Sequence, residues 1–446
     1  MTSGYIREFL LKMSATASVS LSPVGVRGMK VLDREKFLRN VEMPILKVKT
    51  INVNNAMRIC KPYFLKLREF RPIRDLNEGE ESPYKKYICL NPEKVMQWED
   101  ISESDRTSLE QLDVTKNHFA VTTTQLSYDN WDYESIFKAV LPEDEEGVSG
   151  FTQMGHIIHL NLKDHLLEYR TVIGQVLVDK VKTCRTVVNK CQTIDNTFRN
   201  FNMEVIGGDE DFCVTVKENQ CTFEFDFSKV YWNSRLCKEH ERILKYLKHN
   251  DVLFDIFCGV GPFAIPAARR GIKTYANDLN PESYKWLNHN AKKNKVNTKY
   301  FKSYNLDGKD FICIVFKEYL ERLCNDVEKV EGNIRVTMNL PGLAVEFLKY
   351  FNGLLKDSAS PEDFKQVIVV YIYCFVPHGD DMDEQAKKLV IEKIGHDITS
   401  NIHLVYNVRN VSPTKEMMRV TFQLTKEVLF GLNDVSEPPL KKLCVE

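Results

Sequence analysis

The 446-residue sequence predicts an α/β protein whose largest part is a doubly wound parallel sheet, with smaller α+β domains ahead of it. Three observations predict it. The run at 252–257 is apolar apart from Asp255, as expected of a short strand buried on both faces of a parallel sheet. The turn Cys258-Gly259-Val260-Gly261 follows, where two glycines let the backbone bend tightly and leave room for a ligand, and Pro262 suits the first residue of the next helix. A second strand at 273–277 then ends on the carboxylate of Asp278.

Composition limits the rest. Sixty-one Lys and Arg balance 62 Asp and Glu, so a polyanionic partner has to be met by local basic patches rather than by a global field. Twelve cysteines without a CxxC pair give no metal-ligand spacing and no disulfide framework, so no metal site is expected. No apolar run reaches the length of a membrane span, and monomer is the default expectation.

Residues 1–30 carry Arg7, Lys12, Arg27 and Lys30 against the single acid Glu8, and Tyr5, Phe9, Leu10 and Met13 share a helical face. This fits a mitochondrial presequence, with a disordered tail as the equal alternative. Residues 31–145 form the first predicted domain. Within it, 57–74 interleaves six basic residues with Tyr63, Phe64 and Phe70, which suits an RNA-facing surface or, more simply, an amphipathic helix with core aromatics. The segment 76–86 reads as a solvated loop, and LPEDEEGVSGF at 141–151 as a linker.

A second domain is expected over 150–230. GHIIHLNL at 155–162 alternates as a strand does, so His156 and His159 point to opposite faces and do not ligate a metal together. Residues 163–199 hold seven basic side chains against four acids, and GG and EN at 207–208 and 218–219 mark hairpin turns. At 230–242, VYWNSRLCKEHER starts a helix that Asn233 or Ser234 caps. Arg235 lies where the helix dipole favours anions, which suggests that it holds one; a surface pairing with Glu239 one turn on is the plain alternative.

The third domain, 231–428, carries the chemistry, with a polar tail at 429–446 after it. A Gly-x-Gly turn followed by a carboxylate fits a nicotinamide dinucleotide as well as S-adenosyl-L-methionine. The residues favour the second. Ala264 stands where a dinucleotide fingerprint places its third glycine, and Asp255 adds negative charge that suits a sulfonium and an ammonium but would repel a pyrophosphate. Asp278 is expected to receive the ribose hydroxyls, with Leu279 beside it. Asp307 and Gly308, in the loop after strand three, are expected at the adenine. Strand four, 334–338, runs into Asn339-Leu340-Pro341, which resembles the substrate-facing motif of nitrogen-methylating enzymes, and the resemblance implies that the Asn side-chain oxygen and nearby carbonyls face the acceptor atom. The segment 308–333 is expected to be a solvent-facing helix, and strands at 365–375, 403–411 and 417–424 complete the sheet.

With VRGMKVLDREKF, GHIIHLNL, EFDFSKVYWNSRL, FDIFCGVGPFAIPAA, NDLNPES, NLDGKDF, MNLPGLAVEFL and NVSPTKEMMRVTFQL collected, the sequence resembles the eukaryotic and archaeal tRNA (guanine-37-N1)-methyltransferase family. The resemblance implies a class I, Rossmann-like methyltransferase domain behind α+β tRNA-binding domains. It implies transfer of a methyl group to N1 of the guanosine 3′ of the anticodon in cytoplasmic and mitochondrial tRNAs, which supports reading-frame maintenance. The implied compartments are the mitochondrial matrix, the nucleus and the cytoplasm. It implies that the N-terminal domain docks the tRNA elbow while the second domain holds the anticodon stem, with no obligate protein partner. Arg235 matches the arginine of the family's Asn-Ser/Pro-Arg-Leu block, where a cation stabilises charge developing on O6, and His240 is similar to a family cofactor contact. Asn339 and Pro341 shape the pocket of the target base. Asp307 and Glu239 are the candidate bases for the N1 proton. The readings kept beside this one are another RNA base methyltransferase on the same fold and a non-catalytic tRNA-binding protein.

Overall fold

Ten residues of alternating and continuous apolar character, RNVEMPILKV, make the strand β1 (Arg39–Val48) around which the first unit is built. The protein was analysed as a computed structural model that describes residues 21–76, 83–148, 150–194 and 201–432. After β1 come α1 (Val53–Cys60), β2 (Ile73–Asp75), β3 (Lys86–Cys89), α2 (Glu103–Glu110), β4 (Phe119–Leu126) and α3 (Tyr133–Val140). The sheet order is β2-β3-β1-β4, with both neighbours of β1 antiparallel to it. Ser102 and Asp132 start α2 and α3 by accepting from the backbone N–H groups of Asp105 and Ser135, as N-caps do.

A second sheet, β5-β6-β7-β8, is formed by β5 (Thr152–Met154), β6 (Ile157–Leu160), β7 (Thr186–Ile194) and β8 (Phe201–Gly208), with α4 (Arg170–Lys180) between β6 and β7. Here the structure departs from the expected division at 145–150. Residues 158–190 and 204–210 cluster with the N-terminal part in one compact unit, and Ile158, Val172, Ile173, Val187 and Ile206 share a core with Phe37, Trp131 and Ile136. LPEDEEGVSGF is therefore a loop within a unit. Gly207 is likewise not a hairpin turn: it meets Gly174 of α4 so closely that a Cβ on Gly174 would lie 2.1 Å from the Ile206 carbonyl oxygen.

The expected boundary at residue 30 moves as well. Leu21 and Val26 are buried in this same core, and the Leu21 carbonyl accepts from Trp131 Nε1. Residues 21–30 thus belong to the fold, while the presequence reading of 1–20 lies outside the described residues. The basic stretch at 57–74 is α-helical only to Cys60 and continues as a 3₁₀ turn, Lys61–Tyr63, before Phe64 becomes extended. The tip of the 76–86 loop and the end of the basic segment, 195–199, lie outside the described residues.

From Asp211 on the chain lies in the second unit, and this stretch begins with a hairpin of β9 (Cys213–Glu218) and β10 (Cys221–Asp226). Its two-residue loop is Asn219-Gln220, both with positive φ, the geometry of a type I′ turn. Then follow α5 (Cys237–Tyr246), β11 (Val252–Asp255), α6 (Ala264–Arg269), β12 (Lys273–Asn277), α7 (Pro281–Lys293), β13 (Phe301–Tyr304), α8 (Lys317–Cys324), β14 (Ile334–Met338), β15 (Ile368–Pro377), α9 (Met382–Ile394), β16 (Ile402–Ser412), β17 (Lys415–Leu424) and α10 (Lys426–Phe430). The seven strands order as β13-β12-β11-β14-β15-β17-β16, parallel except for β17, which is antiparallel to both its neighbours. The strand order reverses between β11 and β12 on one side and β14 on the other, which is the switch point where open α/β sheets bind ligands.

Apolar cores lie on both faces of this sheet. The segment after Gly308 contributes to one of them: a π-helical stretch and α8 bury Phe311, Ile312, Phe316, Tyr319 and Leu320, so the helix expected to face solvent turns one side inward. Leu429 and Phe430 of α10 are buried too, and Leu355 N–H donates to the Leu429 carbonyl. The domain therefore continues past the expected end at 428, and of the tail only 433–446 lies outside the described residues.

Candidate active site

The glycine turn sits at the carboxyl end of β11. Gly259 has φ +55° and open space where a side chain would stand, whereas Gly261 has φ +96° and a Cβ there would meet Leu287 Cδ1 of α7 at 2.7 Å. The first glycine keeps a face of the turn clear for a ligand, and the second lets the turn press against α7. Phe263 caps α6, so Pro262 lies in the turn ahead of the helix rather than at its first residue.

Two carboxylates flank the turn. Asp255 is fully buried, and its Oδ1 accepts from Thr337 Oγ1 of β14 at 2.8 Å, the residue opposite it in the parallel register. Its Oδ2 is buried with no partner. Burial above all, with the nearby Asp278 charge adding to it, pushes the Asp255 carboxyl up to about 7 against the hydrogen bond from Thr337. Asp278 accepts from Gly259 N–H at 2.8 Å and from Asn280 N–H at 2.9 Å, which fixes the carboxylate against the turn; burial raises its pKa.

Asn277 and Asn305 hold these loops together, and neither was expected from the sequence. The buried Asn277 amide donates to the carbonyls of Ile256 and Leu306 and accepts from Leu306 N–H, tying the ends of β11, β12 and β13. Asn305 Nδ2 donates to the carbonyls of Asp278 and Leu279, at 2.8 and 2.9 Å. Leu279 is left 47% exposed, an apolar surface beside a carboxylate. Asp307 caps the helix after it by accepting from Lys309 N–H, and Gly308 has no room for a Cβ, which would lie 2.8 Å from the Phe257 ring.

Asn339 and Pro341 are half-buried where β14 ends. A turn closed by Leu343 N–H and Ala344 N–H, both donating to the Leu340 carbonyl, holds them. Beside Pro341 lies an open hollow of about 340 Å³ bordered by Gly342, Phe375, Pro377, Thr414 and Lys415.

The helix that precedes β11 resolves the choice over Arg235. Glu239 is buried and its oxygens are taken by Arg419, Tyr373 and Arg242. Arg235 sits exposed in a 3₁₀ turn whose N-cap, Asn233, accepts its N–H. The pairing with Glu239 is therefore not formed. The same bonds rule out Glu239 as a base for a substrate proton. His240 is buried, with Nδ1 2.6 Å from Glu218 Oε1 and its ring edge-on to Phe263, two residues past the glycine turn. The structure thus brings Asp255, Gly259, Gly261, Asp278, Leu279, Asp307 and Gly308 to one end of the sheet with Asn339 and Pro341, and places His240 beneath that turn, engaged with Glu218. Among the described residues no cluster of His, Cys, Asp or Glu could hold a metal ion.

The family described as the TRM5/TYW2 methyltransferase domain matches residues 214–360, and that described as the TYW2 N-terminal domain matches 133–211. A tRNA (guanine(37)-N(1))-methyltransferase of Anopheles gambiae is 49% identical over 418 residues, 93% of this chain and 72% of the relative. The chain belongs to the tRNA (guanine(37)-N(1))-methyltransferase family. The mouse member is 42% identical over 428 residues, covering 94% of this chain and 83% of its own. As a member of that family the protein is a methyltransferase. Its fold is that of an archaeal member solved in complex with tRNALeu, with TM-score 0.58 and 20% identity over 86% of this chain and 100% of that one. It is similarly that of Trm5b from Pyrococcus abyssi, with TM-score 0.53 and 20% identity over 85% and 98%.

Proposed function

We infer that the protein methylates N1 of guanosine 37 in tRNA with S-adenosyl-L-methionine as donor. The observation that carries the reading is the unpartnered buried oxygen of Asp255 next to Asp278, at a glycine turn with open space beside it. Such a site accepts a cationic ligand and repels a pyrophosphate. The residues present fit the donor: Asp278 for the ribose hydroxyls, Leu279 and Gly308 for the apolar faces of the adenine, Asp307 for its amino group and Asp255 for the positive end. Bound there, S-adenosyl-L-methionine supplies an electrophilic methyl group.

The chain supplies the rest. Guanine N1 carries a proton whose loss sends charge onto O6. Arg235, exposed and without a carboxylate partner among the described residues, is the cation for that oxygen. Asn339 and Pro341, with the hollow beside them, hold the turned-out base. With Glu239 committed to Arg419 and Tyr373, and Asp307 placed at the adenine amino group, neither of the two carboxylates considered is assigned the N1 proton. The N-terminal unit is proposed to dock the tRNA elbow, and the protein to work as a monomer in the mitochondrial matrix, nucleus and cytoplasm, supporting reading-frame maintenance.

The test is methylation of tRNA transcripts with labelled S-adenosyl-L-methionine. A transcript with guanosine at position 37 is expected to take label on N1, and one with adenosine there to stay unlabelled. Equal labelling of both, or label on the exocyclic amine, would remove the assignment.

A further inference from the structure

Arg235 has a neighbour that the reaction as described does not use. Arg242 of α5 lies with its Cζ 4.1 Å over the ring of Tyr406 in β16, so the helix and the strand meet there. Leu236 and Val408, the residues next to Arg235 and Arg409, pack on the same core cluster. The 3₁₀ turn that carries Arg235 and the segment of β16 that carries Arg409 are therefore neighbours. Arg409 is half-buried, and its one hydrogen bond among the described residues goes from Nε to the Asn410 carbonyl at 3.0 Å. Burial, then Arg235, hold its pKa below the usual arginine value, so the two cations sense each other.

No carboxylate answers them among the described residues. Glu239 is taken by Arg419, Arg242 and Tyr373. Glu416, on the strand paired with β16, accepts from Asn410 and His378. The nearby Tyr231, 55% exposed, brings no charge. Two arginines set side by side without an acid leave their positive charge to an anion from outside the chain, and the planar guanidinium fork matches phosphate oxygens.

We propose that Arg409, together with Arg235, clamps one backbone phosphate of the substrate RNA next to the target nucleotide. Arg409 is then a positioning residue, and Arg235, with five N–H donors, keeps an edge for the base. The proposal rests on the RNA substrate named above but not on which atom is methylated.

The test measures tRNA binding by the full-length protein against salt concentration, for the parent and Arg409→Ala, with turnover followed in parallel. Transcripts carrying single methylphosphonate linkages, placed one at a time around the target nucleotide, remove one phosphate charge each. Arg409→Ala is expected to make the slope of log affinity against log salt shallower by about one. One linkage that weakens the parent by about tenfold or more is expected to have no further effect on the variant. Arg409→Lys retains the slope, and donor affinity is unchanged in both. Should the alanine variant lose its thermal midpoint, Arg409→Gln is read in its place. An unchanged salt slope, or effects of Arg409→Ala and every linkage that simply multiply, would overturn the clamp. Loss of the slope without methylation at guanosine 37 would leave the clamp standing and remove the function inferred above.

Discussion

Replacing Asp255 by Asn isolates the cost of keeping a carboxyl in a dry strand end. In the folded chain this group titrates at about 7, against an ordinary value of 3.8. Between those values the unfolded chain has released the proton and the folded chain has kept it, so stability falls as pH rises and levels off above about 7. The full span of about three units corresponds to about 4 kcal/mol, of which about 3 kcal/mol falls between pH 5 and 7.5. Asn does not titrate, while every other group is common to both proteins. The stability of Asp255→Asn relative to the parent, from urea unfolding without ligand, is therefore expected to rise by about 3 kcal/mol from pH 5 to 7.5. A difference flat across this range to about 0.5 kcal/mol would refute the account of Asp255. Donor affinity is expected to move the other way, weakening by about tenfold or more as the charge is lost.

Asn277→Ala removes three buried hydrogen bonds that join three strand ends. It is expected to cost about 3 kcal/mol or more in urea unfolding and to weaken donor binding; a loss under about 1 kcal/mol would mean that the loops hold without it. Arg235→Ala is expected to leave donor affinity within about twofold while lowering turnover by about 10²–10³ in single-turnover assays. An unchanged turnover would return Arg235 to the surface.

What could be read from the sequence was the part governed by local pattern. The strands at 273–277 and 334–338 were expected with the bounds they have, because each begins just after a glycine, Gly271 or Gly332, and ends at a polar loop residue, Asp278 or Asn339. Asp278 and Asn339 could be located at strand ends because each follows a strand directly. The misses share a cause, which is partners far away along the chain. Leu21 and Val26 stand in a serine-rich stretch with no periodicity of its own, and the core they enter is formed by residues such as Trp131 and Ile136. Glu239 offered Arg235 as a neighbour on the helix, yet its partners are Arg242 on the other side along the helix and residues 134 and 180 positions on. Asn277 looked like one more polar residue at a strand end, since nothing in the sequence shows that three loops converge there. Gly174 and Gly207 gave no sign of meeting, because close approach of two backbones leaves no local trace beyond the missing side chains.

The buried pair of Glu239 and Arg419 also sets an order of events. Glu239 stands one turn after Arg235, and the strand that holds it is the last of the sheet to leave the ribosome. Until β17 pairs with β15 and β16, Glu239 faces no guanidinium of that strand and the turn that presents Arg235 is not anchored. A contact spanning 180 residues is slow to form because the intervening chain must first be brought together. A polypeptide interrupted ahead of residue 415 would lack β17, and with it both the guanidinium that holds Glu239 one turn after Arg235 and the core residues Met418, Val420 and Phe422.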